Sequence, residues 1–326
     1  MTRSHHVPGG FTNPWGTGGE DRTSLDMLKW MWQRLRTKIP PNPPASAFPR
    51  AQPRIAQPRV ERGAVRITWV GHATFLIQTA TANLLTDPIW SPRASPVAWA
   101  GPMRMTQPGI AFENLPPIDA VLLSHDHYDH LDAATVRRLA ERFPDAQWIA
   151  PLAHTRLLRE FGAEAIHELD WWDSARIAET NVTAVPAQHW SRRVRTRPGE
   201  RLWCGYVIES DVGRILFGGD SGYGPMFRDI AARTGPFAVN ILPVGAYEPR
   251  WFMRPAHMNP EDAVQAYLDL GGQGAFVPMH WGAFRLTDED PLEPPVRTRE
   301  AWLQAGLPPD DLRVLAIGET LAIGER

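Results

Sequence analysis

The sequence predicts an α/β protein, and three observations carry that reading. Short apolar runs of strand length recur along the chain, and several of them deliver a histidine or aspartate at or just past their end. One such run is followed by a helical repeat, in which Val136, Leu139, Ala140 and Phe143 recur at three- and four-residue spacing. The composition is that of an ordinary globular chain: 43% hydrophobic and 21% charged in 326 residues, room for one large domain with an extension or for two smaller ones.

Taken in order, the first twenty residues are polar and Gly-rich, without the apolar core of a signal peptide. Over 23–38, Leu25, Leu28, Trp32 and Leu35 form one helical stripe, widened by Met27, Trp30 and Met31. Lys29, Arg34, Arg36 and Lys38 add positive charge. Such a helix either docks on its own domain or lies in a bilayer interface. Seven prolines between residues 40 and 58 argue against helix or central strand and predict an extended strap. Residues 1–60 are therefore expected to form an N-terminal extension and 61–326 the main domain.

Strands are expected at Thr74–Ile77, Asn83–Thr86, Ile118–Leu123, Val182–Val185, Leu202–Ile208, Arg214–Phe217 and Ala275–Met279. Leu312–Ile317 reads as a late strand with Leu321–Ile323 folding back on it as a hairpin. The single cysteine, Cys204, lies inside an apolar run and is expected to be a small buried side chain. A lone cysteine permits no internal disulfide and fits a reducing compartment. A cytoplasmic protein, with contact to a membrane surface left open, is the expectation.

The chemistry concentrates at Ser124–Asp132, which reads Ser-His-Asp-His-Tyr-Asp-His-Leu-Asp. A packed core does not require three imidazoles and a carboxylate in so short a span, and these are the ligands that suit zinc and related metals. His125 and His127, at i and i+2, can aim at one ion, with Asp129 and His130 near enough to reach a second. The plain alternative is a solvated histidine-rich turn. Three further apolar runs lead to His189, Asp220 and His280. Together with the cluster they make seven candidate ligands, enough for two ions sharing a carboxylate. Asp126, between the first two histidines, is expected to be exposed.

The His-x-His-x-Asp-His pattern with later single His, Asp and His resembles the metallo-β-lactamase superfamily. Within it, Leu169-Asp170-Trp171-Trp172, Gln188-His189-Trp190, Glu248-Pro249-Arg250-Trp251-Phe252-Met253 and His280-Trp281-Gly282 resemble N-acyl-phosphatidylethanolamine-hydrolysing phospholipase D and its bacterial relatives. The similarity spans roughly residues 65–305, with an echo at Phe11-Thr12-Asn13-Pro14-Trp15. It implies an αββα sandwich, two mixed sheets flanked by helices. It also implies two Zn²⁺: one on His125, His127 and His189, the other on Asp129, His130 and His280, with Asp220 bridging and acting in catalysis. Mn²⁺ or Fe²⁺ is a lesser choice, since His127 stands where some iron-binding members carry a carboxylate. A paired site of this kind stabilises attacking and leaving oxygens and generates hydroxide near neutral pH.

His257 matches the family's essential non-ligand histidine, expected to act on the phosphate or leaving group; the alternative is a cap for the helix at Pro260-Glu261. Asp87 is expected to orient a ligand histidine, or else to form a turn before Pro88. His72, Tyr247 and Trp251 are the remaining candidates near metal or substrate. Fourteen tryptophans are unusually many; Trp171, Trp172, Trp190, Trp251 and Trp281 stand beside candidate ligands or in the family-like segments, and they either line an apolar groove or fill the core, the commoner fate of any one of them. Arg192, Arg193, Arg195 and Arg197 form either a phosphate-facing loop or a solvated turn.

The expected activity is phosphodiester hydrolysis of the phospholipase D type on a phospholipid. Lactonase or β-lactam-type hydrolysis is the alternative, and a catalytically idle metal-binding protein the reading from another class. A net charge of −2 and a pI of about 6.6 weigh against nucleic acid. The resemblance leaves a homodimer open.

Overall fold

Runs of β-branched and aromatic residues form the strands of two facing mixed sheets. The computed structural model describes residues 4–16, 18–19 and 22–325. The first sheet has seven strands in the order Thr320–Ile323, Val65–Gly71, Thr74–Gln78, Asn83–Thr86, Ala120–Leu122, Gln147–Pro151 and Ile166–Leu169. Its first three pairings are antiparallel and the last three parallel. The second sheet has six, in the order Ala275–Met279, Phe237–Pro243, Gly213–Phe217, Gly205–Ser210, Thr180–Val185 and Ser174–Ile177.

The space between the sheets is filled by Ile67, Phe75, Ile77 and Leu84 from one and by Val182, Tyr206, Ile208, Ile215 and Phe217 from the other. The Tyr206 hydroxyl donates to the Leu123 carbonyl at 2.7 Å and so joins the two layers. Helices Ala133–Arg142 and Thr155–Glu160 cover the outer face of the first sheet, burying Val136, Leu139 and Leu158 against Leu76, Leu85, Val121 and Trp148. On the other side, Tyr267 of Pro260–Asp269 and Trp302 of Glu293–Gln304 pack on Phe276. The result is helix, sheet, sheet, helix, the α/β sandwich implied by the sequence.

The extension is spread over this sandwich. His6–Val7 and Gly10–Phe11 form a hairpin, and His5 and His6 each reach a different oxygen of buried Asp170, at 2.6 and 2.7 Å. The helix spans Ser24–Arg34, shorter than expected, and begins at a Thr23–Asp26 capping box. Its predicted apolar stripe is not its docking face. Leu25 (75%) and Leu35 (86%) are the most exposed, Leu28 and Trp32 are exposed too, and Trp30 is instead the buried residue. The proline-rich stretch runs as an irregular strap with one 3₁₀ turn, Ala45–Ala47, and buried Phe48.

The expected late hairpin does not form. Leu312 bridges to Phe276 and Ile317 to Arg50, so this stretch crosses between elements. Thr320–Ile323 pairs antiparallel with Val65–Thr68, whose edge is free to accept it. Cys204 is fully buried just before its strand; burial pushes its thiol pKa up.

Candidate metal centre and cavity

The candidate ligands gather past strand ends: His72 after Val65–Gly71, Asp87 after Asn83–Thr86, and the run from His125 to His130 in the loop that follows Ala120–Leu122. His189, Asp220 and His280 do the same in the second sheet. Both sheets thus present side chains to one end of the sandwich. His72 (φ 57°), Asp87 (φ 34°) and His280 (φ 67°) lie in the left-handed region, where non-glycine backbone is strained. The His280 N–H donates to the His72 carbonyl, which joins two of these turns. Gly219 precedes Asp220 at φ 59°, and a Cβ there would meet the Cys204 carbonyl oxygen at 2.8 Å.

Two groups of ligand atoms result. His127 Nδ1 lies 2.9 Å from His125 Nε2 and 3.1 Å from His189 Nε2. Next to this triad, His130 Nε2 and His280 Nε2 are 3.2 Å apart, each 3.4 Å from Asp129 Oδ2. Asp220 Oδ2 stands between the groups, 3.0 Å from His280, 3.2 Å from His130, 3.9 Å from His189 and 4.0 Å from His125. Asp220 Oδ1 is buried without a hydrogen-bond partner, a costly state for a carboxylate unless a cation faces it. The donor set fits divalent ions of the zinc type.

Electrostatics support the same fit. Burial opposes it, but the Asp220, Asp129 and Asp87 carboxylates hold the His130 imidazolium well above its usual range; His280 is pushed up to about 9. Burial together with His130, His127 and His189 drives His125 well below. Without metal the cluster therefore retains protons that bound cations would displace.

Ring orientation is fixed from behind. Asp87 Oδ2 contacts His130 Nδ1 at 2.7 Å and accepts from the Ser124 hydroxyl at 2.6 Å, while Oδ1 accepts from the Ser124 N–H. It does more than shape a turn. His189 Nδ1 is 3.0 Å from the Ala256 carbonyl. Such partners set tautomer and ligand basicity. His72 Nε2 is 2.9 Å from Asp129 Oδ2, so it belongs with the second group. His257 Nδ1 lies 3.9 Å from Asp220 Oδ2 with no hydrogen-bond partner, and burial lowers its pKa to about 3. It does not cap the following helix; Asn259 does.

A cavity of about 570 Å³ opens from the centre. His127, Asp129, Asp220 and His257 form its floor, Phe252, Met253, Leu286, Met27, Leu28 and Trp30 its apolar walls, and Arg22 and Arg192 reach it as well.

Several expectations need correction. Tyr247 is buried in the core beneath Arg297 and does not line the cavity. Trp251 turns outward, 42% exposed, under Lys29. Of the five tryptophans noted, only Trp190 lines the cavity; Trp171 and Trp281 are core residues. Asp126 is buried, not exposed: it pairs with Arg201 at 2.9 Å and accepts the Arg192 N–H. Arg193 is likewise structural, donating to the carbonyls of Asp126 and Leu131. Arg192 is the member of that loop that meets the cavity. Sequence reading missed Arg22, Thr23 and Trp30 as site residues; the Thr23–Asp26 box was the one legible signal there.

Residues 82–281 match the beta-lactamase superfamily domain model. The chain belongs to the metallo-β-lactamase superfamily. As a superfamily member it is a metal-dependent hydrolase with a His/Asp cluster compatible with metal binding. It is similar to an uncharacterised protein of Mycobacterium tuberculosis, 41% identical over 84% of this chain and 72% of that one. It is also similar to N-acyl-phosphatidylethanolamine-hydrolyzing phospholipase D 1 of Caenorhabditis elegans, 36% identical over 72% and 68%. Among solved structures, Igni18, a metallo hydrolase from Ignicoccus hospitalis, shares the superfamily fold. Its TM-score is 0.59 at 21% identity, over 80% of this chain and 98% of that one.

Proposed function

We propose that this metallo-β-lactamase-superfamily chain is a dinuclear zinc phosphodiesterase of the phospholipase D type, acting on N-acyl-phosphatidylethanolamine or a related phospholipid. The observation that carries the reading is the cavity: a floor of ligating residues, apolar walls above it, and arginines beside the floor. A diester with aliphatic tails fits this division of polarity better than a small polar ring does. The likeness to the worm phospholipase supports it.

Divalent ions held by His125, His127 and His189 and by Asp129, His130 and His280, with Asp220 between them, would supply Lewis acidity and activate water. The protein's part is positional. Asp220 serves both groups, Asp87 and the Ala256 carbonyl fix the rings of His130 and His189, and His257, held neutral by burial, is set to donate a ring N–H to the phosphate. Arg192 offers a forked donor to phosphate oxygens.

Among the described residues no helix is long and apolar enough to cross a membrane. The exposed stripe on Ser24–Arg34, flanked by Lys29 and Arg34, supports contact with a membrane surface from the cytoplasmic side. Vesicle co-sedimentation tests that, and light scattering tests a homodimer.

The deciding experiment combines metal analysis with a hydrolysis panel on one batch: N-acyl-phosphatidylethanolamine, bis-p-nitrophenyl phosphate, a lactone and a β-lactam. Two zinc ions per chain with the lipid cleaved best is the expected result. Turnover of the lactone or lactam alone would overturn the phosphodiesterase reading and leave the metal site standing.

A further inference from the structure

The superfamily match begins at residue 82, yet one wall of the cavity comes from far upstream. Met27, Leu28 and Trp30 of the helix Ser24–Arg34 face the floor from above, with Thr23 at its start. Isolated, a helix of this length is marginal, so tertiary contacts must hold it there. They are specific. The Trp30 indole N–H donates to Asp288 Oδ2 at 2.6 Å, and Arg34 Nε pairs with Asp288 Oδ1 at 2.9 Å. The Trp251 indole donates to Gln33 at 2.9 Å.

The Trp30 ring then packs on Phe252, centroids 5.0 Å apart, within a small apolar cluster with Ala246 and Met253. Leu286 packs against that cluster and also lines the cavity. Trp30 is the helix's buried residue; of the predicted stripe, Leu28 reaches the cavity while Leu25, Trp32 and Leu35 face solvent. The contacts therefore select a face that completes the cavity and leave the larger apolar face outside.

We propose that this helix is the chain-selecting wall of the cavity. Trp30, fixed by Asp288, is the surface against which the aliphatic tail of an amphiphilic phosphate-type substrate lies. The phosphate chemistry rests on the proposed function; the selection by tail length does not. Each methylene moved from water onto such a wall is worth about fourfold in affinity. A substrate with a short tail reaches the floor without that gain.

The test measures binding of butyl-, octyl- and dodecylphosphonate by calorimetry to the metal-loaded enzyme, alongside kcat/KM for p-nitrophenyl diesters with the same tails. In the wild type both should rise steeply with tail length. Trp30→Ala and Asp288→Ala should each lower the dodecyl-to-butyl ratio at least about tenfold, through KM, and Trp30→Phe, which keeps a ring but has no N–H for Asp288, should fall with Asp288→Ala. Metal content and melting of each variant separate loss of the wall from loss of the fold. If Trp30→Ala does not fold, Asp288→Ala, which removes the acceptor of the Trp30 N–H and leaves the ring in the chain, is the deciding variant. Tail dependence that is flat in the wild type, or unchanged within about twofold in the folded variants, overturns the proposal. Tail-dependent binding without any diester turnover sinks the phosphodiesterase reading and leaves the wall intact.

Discussion

Asp220→Asn probes the one side chain that both halves of the centre share. The change is isosteric, but it removes a full negative charge within 4.0 Å of five imidazole nitrogens, the nearest that of His280 at 3.0 Å. Loss of a residue that merely orients a ligand typically costs 10–100-fold in metal affinity. A carboxylate shared between two ions sets the upper end of that range as a floor, so at least about 100-fold, or about 3 kcal/mol, is expected for one ion. Turnover should fall by at least the same factor. The assay is elemental analysis after gel filtration, with hydrolysis of bis-p-nitrophenyl phosphate measured on the same fractions. Two retained ions with turnover within about threefold of wild type would refute the bridging role. Loss of one ion with a nearly unchanged melting temperature supports it.

His257→Ala should keep both ions and lose about 10²-fold or more in kcat, the size of a typical contribution from one hydrogen-bond donor to developing charge; metal loss would instead make His257 a structural residue or a ligand. Asp87→Ala strips His130 and Ser124 of their common acceptor and should weaken metal binding 10–100-fold, read by chelator competition. Asp126→Ala leaves the largely buried Arg201 with only the longer contact to Glu200 at 3.9 Å and should cost about 3 kcal/mol in a denaturant titration; a cost below about 1 kcal/mol would show that the Ser191–Arg197 loop does not depend on it. Metal-free protein should be most stable near neutral pH. His280, raised from 6.5 to about 9, stabilises fully below 6.5 and loses that contribution as pH climbs through 9. His72 and His257, lowered to about 3, oppose acidification below 6.5. Melting that rises steadily from pH 7 to 9 after chelation would contradict this assignment.

The seven clustered residues were legible because metal ligation demands particular side chains at strand ends, and those survive in the sequence as short apolar runs ending in His or Asp. Asp87 was legible for the same reason. Tyr247 and Trp251 were not, because successive residues of the short helix Arg250–Met253 and of the turn before it face different ways, and nothing local says that Phe252 and Met253 turn inward while Trp251 turns out. The helix Ser24–Arg34 misled more instructively. Its hydrophobic stripe is real, but contacts made far along the chain, the Trp30 and Arg34 pairings with Asp288 and the packing of Trp30 on Phe252, decide which face docks. Asp126 was misread because its burial depends on Arg201, which only the fold brings near. Leu312–Ile317 has strand composition but makes only isolated bridges, Leu312 to Phe276 and Ile317 to Arg50, because it runs from one sheet toward the other.

Cys204 gives the protein a built-in clock. It is the only thiol in the sequence, lies at 1% exposure with its N–H bonded to the Ser124 carbonyl beside His125, and is held in its unreactive protonated form. Alkylating reagents can reach it only after the strand beneath the ligands separates from the His125 loop. The rate at which label appears, compared with and without metal, therefore counts openings of that seam one molecule at a time, with no engineered probe and no second cysteine to correct for.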